Sequence, residues 1–362
     1  MKKILFAISC LGGGGAERVV SVWASQLADA GYSVSLLLSR RAENEYSIDA
    51  RVLVRSVAAD YEEYKTFSFI KRFFIMRKIL KEISPDIIIS FLPQVQIWMM
   101  AVARGMKLRR IETVRNNPWE TCKNNRINHF LWMLCYHRAD ATIFQTAEQA
   151  EYFSEKIRER GVVIPNPIAS QYCENPKQNY SDSVVRFVAA GRIAEQKNYP
   201  VMIEAFGIAH RERPNLRLSI YGTGDKAYMD TIQRMIDERG LSSVITMHGR
   251  TNDTLSVLQQ SDAFLMTSDY EGMPNALVEA MAVGLPCIST NCRTGPRDLI
   301  DHGENGFLVG TGDAEAIAEA VLCAASMDSE HAKQMGRKAR EKVLDLCSES
   351  NSLKKLIKLI EE

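Results

Sequence analysis

Residues 268–282 read Ser268-Asp269-Tyr270-Glu271-Gly272-Met273-Pro274-Asn275-Ala276-Leu277-Val278-Glu279-Ala280-Met281-Ala282. Upstream, Asp262 to Met266 is apolar enough for a buried strand; downstream, Ala276 to Val283 reads as a helix stopped by Gly284. Glu271 is thereby placed on the loop at a strand's C-terminal end, and Glu279 about two turns into the next helix. In an open α/β sheet that edge is where ligands bind. The first N–H groups of a helix attract anions, so a diphosphate suits this turn. A carboxylate on either side of it can accept from sugar hydroxyls. The stretch reads as a clamp for a sugar nucleotide.

Working outward, buried strands alternate with helices in both halves of the 362 residues. Ile4 to Ser9 is a strand, followed by Gly12-Gly13-Gly14-Gly15, a helix to about Ala30 and a second strand at Ser33 to Leu38. A dinucleotide fingerprint would need glycine where Glu17 stands, and an acid where the second strand ends in Arg40-Arg41. Bare backbone at a helix start can still cup an oxyanion; a turn needing only positive φ would read the same. Further strands are read at Ile87–Leu92, Arg110–Val114, Ala141–Gln145 and Val162–Ile164. Residues 165–183, rich in Pro, Asn, Ser and Tyr, read as a linker. A second series follows, with strands at Val185–Ala189, Leu216–Tyr221, Val244–His248 and Pro286–Ser289. The domains expected are 1–168, 184–346 and a C-terminal helix at 347–362 packing back toward the first. The fold class is α/β, with two doubly wound Rossmann-like domains facing each other across a cleft.

The formal net charge is +1, but residues 1–168 carry 24 Lys and Arg against 17 Asp and Glu, and the remainder 21 against 27. A basic first half suits an anionic partner such as a membrane surface or a phosphorylated acceptor, though a few extra lysines on a solvated face would read the same, and no nucleic acid is expected. Within it, residues 67–83 form a helix with a core face at Phe69, Phe73, Met76, Leu80 and Ile83. The other side carries Lys71, Phe74, Arg77, Lys78 and Lys81, a pattern suited to anionic headgroups. An ordinary surface helix with one stray aromatic would look similar. Eight scattered cysteines without C-x-x-C suggest free thiols in a reducing cytoplasm. The apolar run after Met1-Lys2-Lys3 is too short for a signal peptide, and no stretch approaches the ~18 apolar residues of a membrane span.

Arg192 and Lys197 lie just past a strand end, where two cations near the helix at Ala276 would hold a leaving diphosphate without a metal. No Asp-x-Asp pair is present, so no metal is expected and none of the site residues is assigned as a metal ligand.

Together these residues resemble the retaining glycosyltransferases of family 4, which have the GT-B fold. The matching parts are Gly13-Gly14 with Ala16-Glu17-Arg18, Gly191-Arg192 with Lys197-Asn198, Tyr221-Gly222 with Gly224, and Glu271-Gly272 with Pro274. Glu279-Ala280-Met281, Gly295-Pro296 with Leu299-Ile300, and Asn305-Gly306 with Leu308-Val309 extend the match over nearly the whole chain. The resemblance implies that Arg192 and Lys197 neutralise the donor diphosphate, that Glu271 touches the donor sugar and that Glu279 accepts from the ribose. Backbone amides around Asn275, Ala276 and Leu277 complete the phosphate site, Gly222 and Met273 are further donor-binding candidates, and Gly249-Arg250 faces the base. Gly13 and Gly14 lie toward donor phosphate and acceptor. Many relatives have a histidine where this chain has Arg115-Asn116-Asn117-Pro118, which makes Arg115 and Asn116 acceptor-side or sugar-side candidates. The resemblance also implies that the leaving phosphate helps deprotonate the acceptor.

The expectation is a cytoplasmic enzyme, peripheral on the inner face of the cytoplasmic membrane. It moves a hexose or N-acetylhexosamine from a UDP-sugar to a lipid-linked, undecaprenyl-diphosphate type or nascent polysaccharide acceptor, with no cofactor. The rivals are a sugar-nucleotide epimerase of the same architecture and a non-catalytic sugar-nucleotide-binding subunit. His248 is the one histidine near a strand end that an epimerase could use, and it reads as structural.

Overall fold

The computed structural model describes residues 2–362, which form two α/β units: residues 2–167 with 350–362, and residues 168–349. In the first, the strands are β1 (Lys3–Ile8), β2 (Ser33–Arg40), β3 (Leu53–Ala58), β4 (Ile87–Ser90), β5 (Arg109–Thr113), β6 (Ala141–Phe144) and β7 (Gly161–Val163). They form one sheet in the order β3-β2-β1-β4-β5-β6-β7, and every pairing is parallel. Alternate side chains sort to its two faces. Ile4, Phe6 and Ile8 pack with Val19, Trp23 and Leu27 of the Gly15–Asp29 helix. Leu5 and Ala7 pack instead with Met76 and Leu80 of the Phe69–Ile83 helix and with Val95 and Met99 of the Pro93–Val102 helix. Both faces are covered, so the strands read as nearly continuous apolar runs.

The second unit holds β8 (Arg186–Ala190), β9 (Arg217–Tyr221), β10 (Ile245–Gly249), β11 (Ala263–Met266), β12 (Cys287–Thr290) and β13 (Phe307–Val309), in the order β10-β9-β8-β11-β12-β13. Its pairings are all parallel. The Tyr199–Glu212 helix packs on one face, and the Asn275–Val283 and Ser329–Cys347 helices on the other. Gly284 ends Asn275–Val283 at φ 94°, a left-handed cap that favours glycine.

Several expectations are revised. Residues 168–183 are no free linker: Ile168 and Tyr172 are buried in the second core, Lys177 Nζ donates to the Gln259 carbonyl at 2.7 Å, and the Tyr180 hydroxyl donates to the Gly284 carbonyl at 2.7 Å. Two apolar anchors and these bonds outweigh the polar composition. The chain returns to the first unit at Ser350, where the Glu349–Glu361 helix buries Leu356, Leu359 and Ile360 and the Ser352 hydroxyl accepts from Trp23 Nε1 at 2.9 Å. Phe69 is not core; it is 68% exposed, its ring 4.4 Å from that of Trp98, while Ile79 takes a buried place with Met76 and Leu80. Arg77 leaves the cationic stripe to donate to the Val102 carbonyl at 2.6 Å. β3 escapes a reading by apolar runs because this edge strand exposes alternate residues such as Leu53 and Arg55.

Candidate functional site

A doubly wound sheet opens a crevice where the strand order reverses direction. In the second unit that point lies between β8 and β11, since the chain leaves β8 toward β9 and β10 and returns on its other side. The loop after β8 carries Arg192 and Lys197, and the loop after β11 carries Glu271. These loops meet there, although Lys197 and Glu271 are far apart in sequence.

The contact is direct. Lys197 Nζ lies 2.5 Å from Glu271 Oε1, and the Ser268 hydroxyl donates to the same oxygen at 2.6 Å. Gln196 Nε2 donates to the Tyr270 carbonyl at 2.7 Å and reaches Glu271 Oε2 at 3.4 Å. Arg192 is exposed, and its Nη2 reaches Gln196 Oε1 at 3.5 Å. Glu271 is 6% and Glu279 7% exposed, so both carboxylates are largely withdrawn from water. Behind them, Thr290 Oγ1 donates to the Ser268 carbonyl at 2.6 Å, and Thr294 Oγ1 donates to the Glu271 carbonyl. Thr267 Oγ1 donates to the Lys197 carbonyl at 3.0 Å, which pins the two loops together. Burial, and next the Glu271 charge, push the nearby Cys292 thiol up to about 12, which leaves it unreactive.

The helix after this loop starts at Asn275, so Glu279 sits one turn into it rather than two. Pro274 precedes the helix and makes no side-chain cap hydrogen bond to its first turn, the end of a helix that attracts anions. The side chains of Met273 and Leu277 turn into the core, so their contribution here is backbone. Gln196, Ser268, Thr290 and Thr294 were not singled out from the sequence. Their adjacency to Lys197 and Glu271 was the only signal available for Gln196 and Ser268.

The neighbouring turns are stitched to each other. Gly191 N–H donates to the Tyr221 carbonyl at 3.0 Å, Ile193 N–H to the Thr223 carbonyl at 2.9 Å, and Gly222 N–H to the Gly249 carbonyl at 2.8 Å. The Gly249-Arg250 turn is thus tied to the Arg192 loop through Gly222, and Arg250 is exposed at its end. His248 stacks on Tyr221 with ring centroids 4.5 Å apart and shares a hydrogen bond with Ser219 Oγ at 3.2 Å, a structural role. Among the described residues, no three His, Cys, Asp or Glu side chains gather as a metal site would require.

In the first unit the order reverses between β1 and β4, and the four-glycine turn follows β1. Gly13 has φ 74°, and the Glu17 carboxylate folds back against Gly14, so the chain's own anion lies over this turn. Arg115, on the loop after β5, is packed inward. Its guanidinium carbon lies 4.7 Å from the ring centroids of both Trp23 and Phe91, and Nη1 donates to Asn166 Oδ1 at 3.2 Å. Burial lowers its pKa to about 9. Asn116 is exposed, and its carbonyl accepts from Gln149 Nε2 at 3.2 Å. Lys71, Phe74, Lys78 and Lys81 are exposed on the Phe69–Ile83 helix.

Glu112 on β5 is fully buried, and among the described residues neither carboxyl oxygen has a hydrogen-bond partner. Burial raises its pKa well above the ordinary 4.5. The unfolded chain therefore releases this proton first, and stability falls as pH rises from 4.5 toward the raised folded value. Glu112→Gln does not titrate. Its stability relative to the parent should be level below that window and then climb by up to ~1.4 kcal/mol per pH unit. Denaturant melts from pH 4 to 8 measure this, and a pH-independent difference would contradict a neutral Glu112.

Two family models match the chain: "Glycosyltransferase Family 4" over residues 13–172 and "Glycosyl transferases group 1" over residues 174–342. The GalNAc-alpha-(1->4)-GalNAc-alpha-(1->3)-diNAcBac-PP-undecaprenol alpha-1,4-N-acetyl-D-galactosaminyltransferase of Campylobacter jejuni is 27% identical, the match covering 95% of this chain and 94% of that protein. An uncharacterized glycosyltransferase of Methanocaldococcus jannaschii is 28% identical over 65% of this chain, a match spanning 62% of that protein. Among solved structures, a mutant of S. aureus TarM, in complex with Fondaparinux, alpha-GlcNAc-glycerol and UDP, superposes with a TM-score of 0.84 at 15% identity, covering 100% of both chains. With one model on each half and the GT-B fold throughout, this chain belongs to the family 4, group 1 glycosyltransferases.

Proposed function

We propose that this glycosyltransferase moves a hexose or N-acetylhexosamine from a UDP-sugar, with retention and without a metal, to a lipid-linked or nascent polysaccharide acceptor. The observation that carries the reading is the Lys197–Glu271 pair, held at the reversal point beside an uncapped helix start. Before the donor binds, Lys197 and Ser268 compensate the withdrawn Glu271 carboxylate. When the donor enters, the ammonium gains a phosphate and the carboxylate gains sugar hydroxyls, so each keeps a partner. The bond between the anomeric carbon and the β-phosphate oxygen then breaks, its electron pair going to the phosphate. Arg192, Lys197 and the first helical N–H groups stabilise that charge. The phosphate takes the acceptor hydroxyl's proton as the acceptor oxygen bonds the anomeric carbon from the same face. Glu279, farther along the helix, takes the ribose.

The Campylobacter relative names a diphosphate-linked polyprenol acceptor, and TarM was solved with UDP; both support this reading of donor and acceptor class. A thermal-shift screen over UDP- and GDP-sugars tests the donor, since a ligand of the folded state raises Tm by mass action. UDP release that requires acceptor separates a transferase from an epimerase or a non-catalytic subunit; release without any acceptor dependence would count against transfer.

We place the enzyme on the inner face of the cytoplasmic membrane. Among the described residues no helix is long and apolar enough to cross a membrane. The Phe69–Ile83 helix presents Lys71, Lys78 and Lys81 beside Phe69, Ile70 and Phe74, all exposed, the arrangement of a helix lying on anionic headgroups. Changing the three lysines to glutamine should weaken binding to phosphatidylglycerol vesicles by roughly 1 kcal/mol per charge at low salt. Unchanged sedimentation with vesicles would make this helix ordinary surface.

A further inference from the structure

The loop after β5, the start of the Arg126–Arg138 helix and Tyr152 border an open cavity of about 270 Å³ lined by Trp119, Lys123, Arg126, His129 and Tyr152. The Trp119 and Tyr152 rings meet edge to face at 5.2 Å, and the Tyr152 hydroxyl lies 3.4 Å from His129 Nε2. The loop is held in place. Trp119 N–H donates to Asn117 Oδ1 at 2.9 Å, Thr121 Oγ1 donates to the Asn117 carbonyl at 2.8 Å, and Cys122 adopts a left-handed φ of 58°. The aromatic walls are therefore preformed. Lys123 is paired with Glu120, whereas Arg126 is exposed and makes no ion pair among the described residues.

The helix surface beside the cavity is unusual. Ile127 is 73% exposed and Phe130, one turn on, 65%, while Trp132, Cys135 and Tyr136 form the buried face. Two large apolar side chains thus border a cationic rim and an aromatic wall. Arginine presents a fork of donors that matches phosphate oxygens. Aromatic rings suit the C–H faces of sugars, and exposed Ile and Phe suit hydrocarbon. No single small anion uses all three features; an amphiphile with saccharide, phosphate and apolar chain in series does.

We propose that this cavity seats the acceptor's diphosphate, with Arg126 and Lys123 on its oxygens, Trp119 and Tyr152 against the adjoining saccharide, and Ile127 and Phe130 against the first carbons of a prenyl-type chain. The proposal rests on the transferase reading and deepens it by assigning the acceptor's anchor.

Farnesyl diphosphate, below its aggregation concentration, is the probe, and calorimetric titration of the full chain is the measurement. The parent should bind it at least about tenfold more tightly than inorganic diphosphate, because the chain adds apolar burial. Arg126→Ala, which removes a diphosphate contact, and Phe130→Ala, which removes a chain contact at a 65% exposed position, should each weaken it about tenfold or more while leaving UDP affinity unchanged. Lys197→Ala should do the reverse. Equal farnesyl diphosphate affinity in the parent and both first-unit variants overturns the proposal, as does loss confined to Lys197→Ala, which would place the probe in the donor site. Phosphatidylglycerol vesicles that displace the probe fully would make this a general headgroup surface and also overturn it. Failure of the parent to bind UDP would instead sink the donor reading, a result separable from the farnesyl titration.

Discussion

Lys197→Ala is expected to lower kcat for sugar transfer about 10²–10³-fold, the usual effect of removing a stabiliser of developing charge. Lys197 has two roles in this structure: it faces the leaving phosphate during transfer and compensates Glu271 in the empty site. Without it, Glu271 keeps Ser268 at 2.6 Å and a long contact to Gln196 at 3.4 Å. Stripping a fully buried carboxylate of its counterion costs ~3–5 kcal/mol. Here the lysine side chain is 18% exposed and water screens part of the pair, so the low end of that range or below is expected. The roles separate in the double variant Lys197→Ala/Glu271→Gln, which should recover stability but not turnover. Recovery of turnover would show that Lys197 acts only on Glu271. Arg192→Ala, at an exposed position, should lower kcat by ~10² with little change in stability. Near-normal turnover in both single variants would refute the diphosphate assignment.

Gly222→Ala is expected to destabilise the second unit by about 2–4 kcal/mol and to abolish UDP binding. A Cβ at this position would lie 1.8 Å from the Gly191 carbonyl oxygen, so backbone rather than a flexible side chain must move. Gly191 immediately precedes Arg192, and Gly222 N–H holds the Gly249 carbonyl at 2.8 Å. Displacing Gly222 therefore shifts the turns after β8, β9 and β10 together. Gly240→Ala is the control: φ is 69° but no atom lies within 4 Å of the added carbon, so only the left-handed penalty of about 1 kcal/mol applies. Chemical denaturation and UDP-induced thermal shifts distinguish the two. If Gly222→Ala proved as mild as Gly240→Ala, the stitching of these turns would carry no weight.

The alternation of strands and helices was legible in the sequence because parallel strands covered on both faces read as apolar runs such as Ile87-Ile88-Ile89 and Ala263-Phe264-Leu265-Met266. Helix ends were legible where glycine must take a left-handed conformation, as at Gly284. Glu271, Arg192 and Lys197 could be chosen because charged residues at strand ends of an otherwise apolar pattern have no packing role to explain them, and Glu279, inside the next helix, because of its spacing from Glu271. Linear order does not contain strand order, however. The adjacency of β8 and β11, which brings Lys197 within 2.5 Å of Glu271, arises only when the chain crosses back past β8. The same holds for the return of residues 350–362 to the first unit and for the inward packing of Arg115 between Trp23 and Phe91. Local pattern determined which elements form, since periodicity and capping act within a few residues. Only tertiary packing decided which side chains meet, because burial rewards contacts regardless of their separation along the chain.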